Sequence, residues 1–117
     1  MYTHEQALAA STAYFSGDTL AADVFVTKYA IPADADGHVM ELTPDDMHRR
    51  LAREFARIEQ RYRSPVSEDV IYELLRGFER VIPQGSPMAA IGNYKQIQSL
   101  SNCFVVDPPQ DSYGGIF

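Results

Sequence analysis

The sequence has one cysteine, Cys103, in 117 residues. A single thiol excludes an internal disulfide and any metal site built from several cysteines. No apolar run approaches the roughly 20 residues that cross a bilayer as a helix, so no membrane partner is expected. The opening Met1-Tyr2-Thr3-His4-Glu5-Gln6 holds no basic segment followed by an apolar one. No signal peptide is read there, and the expected compartment is the cytoplasm. Positive charge is scarce as well: 10 basic residues against 16 acidic ones leave a net charge of −6. That balance argues against a surface that binds nucleic acid by counterion release, so no DNA binding is expected. Internal repeats and low-complexity tracts are absent.

What is present suffices for a modest core. Hydrophobic residues make up 45% and charged residues 22%, ordinary values for one folded domain. The first two-thirds reads as helix. Thr3 to Gln6 fits a capping box, and Ala7, Leu8, Tyr14 and Phe15 form an apolar stripe that Gly17 ends. Asp18 or Thr19 caps a second helix to about Tyr29, with Leu20, Ala21, Val24 and Phe25 inward. Pro32 and the stretch 34–37 read as a turn-rich, solvated connection. Thr43-Pro44-Asp45-Asp46 starts a third helix to about Tyr62, with Met47, Leu51, Phe55 and Ile58 at helical spacing. Ser67 caps a fourth, with Val70, Ile71, Leu74, Leu75, Phe78 and Val81 as a wide apolar stripe that Pro83 ends. Gln84-Gly85-Ser86-Pro87 and Gly92-Asn93 are turn signals, and residues 97–106 read as one strand stopped by Pro108-Pro109. A lone strand leaves its backbone groups in need of a partner outside the segment.

Candidate chemistry is sparse. Cys103 is either a reactive thiol or a small buried hydrophobe, and no Lys or His flanks it to lower its pKa. His4, His38 and His48 have no ligand spacing, so no metal is expected. His48 fits a helix-surface or interhelical place. Arg49, Arg50, Arg53 and Arg57 form a basic face. It reads as a solvated face paired with Glu54 and Glu59, or as an anion or subunit contact. Ser86, Ser99, Ser101 and Ser112 are hydroxyls near turns or on the strand, yet neither standard glycine-rich nucleotide fingerprint is present.

An ordered set of segments carries more information. Pro83-Gln84-Gly85-Ser86-Pro87-Met88 is followed by Gly92-Asn93, then Ser99-Leu100-Ser101-Asn102-Cys103-Phe104-Val105, then Asp111-Ser112-Tyr113-Gly114-Gly115-Ile116. In this order and spacing they resemble the beginning of the catalytic (large) subunit of ribonucleotide reductase. Stretches 22–30 and 43–48 look similar too, so the resemblance covers nearly the whole chain. It implies that Cys103 is the first of two cysteines oxidised to a disulfide as the ribose is reduced, because a two-electron reduction needs a dithiol. It implies substrate contacts at Ser86, Ser101 and Asn102, and an effector site for dNTP or ATP that begins at Asp111, Ser112 and Tyr113.

The implied fold is mainly α. A four-helix region, 1–82, precedes an incomplete catalytic domain, 83–117, whose strand 97–106 opens the ten-stranded α/β barrel of the full enzyme. The radical cysteine, its Asn-x-Cys-x-Glu type segment, the C-terminal redox cysteines and an N-terminal ATP cone have no counterpart. The resemblance therefore implies a piece with no cofactor of its own and no turnover alone: a truncation, one half of a split enzyme or an extein piece. Its implied partners are the ribonucleotide substrate, the effector and the rest of a homodimeric catalytic subunit. The radical source is adenosylcobalamin or a dimetal partner subunit. The rival expectation is a stand-alone helical interaction module without catalytic activity.

Overall fold

The computed structural model describes residues 1–101 and 103–116. The fold is mainly helical and, among the described residues, contains no sheet. Helix α1, His4–Tyr14, starts on the expected capping box: the Gln6 amide donates to Thr3 Oγ1 at 3.1 Å and the Thr3 amide to Gln6 Oε1 at 3.0 Å. Ser16 and Gly17 turn the chain, and Asp18 caps α2, Thr19–Val24, by accepting from the Ala21 amide at 3.0 Å.

Helix α2 runs straight into a π-helical turn, Phe25–Tyr29, closed by the Ala30 amide on the Phe25 carbonyl. The wide turn puts Ala22, Phe25 and Val26 in the core and leaves Leu20 73% exposed. The inward face thus differs from the one the spacing suggests, since Ala21 and Val24 are only half-buried.

Residues 31–42 fold back on the N-terminus. Tyr2 and Val39 exchange both backbone hydrogen bonds, at 2.8 and 2.9 Å, and Met40 donates to Ile31. Only the tip is a solvated connection, held by Asp34 Oδ1, which accepts from the amides of Asp36 and His38.

Helix α3, Pro44–Glu59, has its proline in the first turn, where no intrahelical N–H bond is lost. It buries Met47, His48, Leu51 and Ala52. Helix α4, Glu68–Leu75, is capped by Ser67 and packs along α3. A 3₁₀ turn, Arg76–Phe78, follows, with Gly77 at φ +72°. A positive φ ends an α-helix, so α4 stops well short of Val81. Only Leu75 of its apolar stripe is fully buried, while Val70, Leu74 and Val81 are exposed.

Helix α5, Gly85–Ala90, forms where turn signals stand. Pro87 is its third residue, so the missing N–H falls among donors that have no intrahelical acceptor. Its Met88 enters the core beside Phe25, Leu51 and Leu75. The turn Gly92–Lys95 still packs on the body, and past it the chain leaves. Residues 97–101 and 103–106 form neither helix nor paired strand, and Ile97 and Val105 are fully exposed. The short α6, Tyr113–Ile116, closes the described chain. The radius of gyration, 17.3 Å, exceeds the roughly 13 Å of a compact chain of this length, as a projecting tail requires.

Candidate functional site

The basic face of α3 is not one solvated surface. Arg50 is only 6% exposed. Its Nε donates to Glu41 Oε2 at 2.9 Å and its Nη2 to Glu41 Oε1 at 3.2 Å. The same guanidinium donates to the carbonyls of Met88 at 2.8 Å, Tyr29 at 3.3 Å and Ile91. Glu41 Oε1 also accepts from the Ile31 amide at 3.2 Å. A buried ion pair stands only when its remaining donors and acceptors are met, and here four segments meet them. Arg50 lies three residues after Met47, at the edge of the apolar stripe of α3, where the helical period alone does not decide between core and solvent.

His48 is fully buried, and its ring meets Phe78 edge-to-face at 4.6 Å. Neither ring nitrogen has a hydrogen-bond partner among the described residues. Burial pushes its pKa down, Asp45 pulls it up, and Arg50 pushes it down further. Of the two places the sequence allows, the interhelical one holds.

The remaining arginines reach the surface. Arg49 pairs with Asp45 at 3.0 Å and lies 4.2 Å over the ring of Tyr72, whose hydroxyl donates to Asp45. Arg57 pairs with Glu54 at 2.6 Å, and Tyr94 donates its hydroxyl to the same carboxylate. The hydrogen bond from Arg57, then that from Tyr94, holds the Glu54 carboxyl below its ordinary range. Arg53 has no ion pair or hydrogen bond among the described residues.

Between α3 and the turn at Gly92–Lys95 lies a cleft of about 460 Å³. Arg49, Arg50 and Arg53 form one wall, Asn93, Tyr94 and Lys95 another, and Tyr2, Ile31 and Met40 supply apolar surface. Gly92 has φ +77°, and a Cβ there would lie 2.9 Å from Arg50 Cγ. The turn therefore seats directly on the arginine stem, which the carbonyls of Met88 and Ile91 hold in place.

The residues singled out by resemblance lie elsewhere. Ser86 is half-buried in the first turn of α5. Ser101 is exposed, with its amide donating to Ser99 Oγ at 3.2 Å. Cys103 is a free, exposed thiol, so the reading of it as a buried hydrophobe does not hold for this chain. Asp111, Ser112 and Tyr113 are exposed at the start of α6. None of these six lines the cleft on α3. Asn102 lies outside the described residues. Among the described residues no group of three or more His, Cys, Asp or Glu is placed to hold a metal, and no helix is long and apolar enough to cross a membrane. Comparison with known proteins finds no matching family model, no matching curated protein and no matching solved structure.

Proposed function

We propose that the chain is the N-terminal part of a ribonucleotide reductase catalytic subunit. The carrying observation is the ordered series Pro83–Met88, Gly92-Asn93, Ser99–Val105 and Asp111–Ile116, centred on Cys103. The fold lends support of a different kind. Ile97, Leu100, Phe104, Val105 and Val106 are exposed beyond the helical body, and residues 97–101 and 103–106 form no paired strand among the described residues. Exposed apolar side chains and unpaired backbone in one segment fit a strand whose neighbours belong to another part of an assembly.

In this reading residues 1–82 are the helical domain and 83–117 the first piece of the barrel domain. The whole enzyme converts ribonucleotides to deoxyribonucleotides by thiyl-radical chemistry in the cytoplasm, as a homodimer under dNTP and ATP control. Cys103 and its partner cysteine each give one proton and one electron, which together replace the 2′-hydroxyl by hydrogen and release it as water, while a disulfide forms between the two sulfurs. Ser86, Ser101 and Asn102 hold the substrate, and Asp111, Ser112 and Tyr113 open the effector site. Adenosylcobalamin or a dimetal partner subunit supplies the radical, and this piece binds neither alone.

The test is reconstitution. Mixing the chain with the remainder of a catalytic subunit is expected to yield deoxynucleotide, and Cys103→Ser to lower that rate at least a hundredfold (~2.7 kcal/mol or more in activation free energy). An unchanged rate with Cys103→Ser removes the redox role. A second reading, a stand-alone helical interaction module, is favoured by one observation: the core closes at Met88 without the tail. Limited proteolysis separates the two. Protection of residues 97–117 on adding the remainder supports the enzyme, and continued cleavage there supports the module.

A further inference from the structure

We propose that the cleft between α3 and the Gly92–Lys95 turn binds a small molecule carrying a phosphate group. In a chain of net charge −6, this cleft gathers four of the 10 basic residues and two carboxylates. The carboxylates are already engaged. Glu41 is paired with Arg50, and Asp46 accepts from the Leu42 amide at 2.8 Å. The cations are less fully used. Arg53 has no partner among the described residues. Lys95 donates to the carbonyls of Pro32 and Ala33 at 3.1 and 3.3 Å, which leaves one of its three ammonium protons free. Arg49 spends its Nε on Asp45.

A guanidinium fork and an ammonium lining one cleft suit a tetrahedral oxyanion, and concavity concentrates their field. The volume, about 460 Å³, lies in the range of small-molecule sites and far exceeds one phosphate. Ile31, Met40 and Tyr2 provide apolar surface for the rest of the molecule. The wall is pre-formed, because Gly92 packs on Arg50 and Arg50 is clamped by three carbonyls and Glu41. None of these residues belongs to the reductase site proposed above, so the two proposals stand or fall separately.

The experiment is calorimetric titration of the full 117-residue chain with phenyl phosphate, inorganic phosphate and citrate. Saturable binding of phenyl phosphate at one site is expected, at least threefold tighter than inorganic phosphate and tenfold tighter than citrate. Arg53→Gln, which breaks no bond within the protein, is expected to weaken it about tenfold, and Lys95→Gln likewise. Arg57→Gln, on a residue outside the cleft, is expected to change it less than twofold. Absence of saturable binding, equal binding of citrate, indifference to Arg53→Gln, or equal loss with Arg57→Gln would each overturn the site.

Discussion

Two buried polar residues of α3, His48 and Arg50, differ in how they are satisfied. Arg50 uses a carboxylate and three carbonyls. His48 uses nothing among the described residues. A neutral imidazole left in this way costs about 1–3 kcal/mol, and its charged form costs more. The folded pKa of His48 therefore lies below the ordinary 6.5. Between the two values the unfolded chain binds a proton that the folded chain refuses, so stability is full above the ordinary pKa and falls as pH drops below it. The urea midpoint is expected to decline as pH is lowered from about 7.5 to about 5.5. His48→Leu is expected to flatten that decline and to raise the midpoint at low pH. A decline of the same slope in the variant would place its origin elsewhere. The Glu54 carboxyl, depressed by Arg57 and Tyr94, acts at lower pH, below its ordinary 4.5.

At the scale of elements, glycines set where helices stop and how close turns come. Gly77 at φ +72° ends the α4 run before its apolar stripe is used up, which leaves Val81 and Ile82 in solvent. Gly92 does more, because it combines φ +77° with a contact no Cβ fits, 2.9 Å from Arg50 Cγ. The arginine stem has no room to retreat, since its head is fixed by the carbonyls of Met88 and Ile91. Gly92→Ala is expected to cost about 1–3 kcal/mol, from positive-φ strain together with the clash. Chemical denaturation checks this, and a loss under about 0.5 kcal/mol would mean that the turn relaxes away from α3.

At the scale of the molecule the chain has a body and a tail. The body closes a core from Ala7 to Met88, and Lys95 still ties it to the carbonyls of Pro32 and Ala33. The tail contributes exposed side chains such as Ile97, Phe104 and Val105. A chain ending at Gln96 is expected to keep its helical circular dichroism and a stability within about 0.5 kcal/mol of the full chain. A larger loss would show that residues 97–117 stabilise the body.

Local signals decided the helix starts: Thr3 with Gln6, Asp18, Pro44 and Ser67 each satisfy or spare amides within one turn of chain, so neighbours in sequence suffice. The mainly helical class followed from the same residues. The ordered segments around Cys103, which carry the proposed function, are likewise a property of the sequence. What tertiary structure alone decided depends on residues far apart in the chain. The inward turn of Arg50 needs Glu41, Tyr29, Met88 and Ile91, and helix α5 stands where its Met88 finds the core. The π turn at Phe25–Tyr29 and the stop at Gly77 re-aim apolar stripes that an ideal period would have placed inward. A single thiol and few cations acquire a role only through that geometry: the thiol is exposed on the tail, and four of the cations line one cleft.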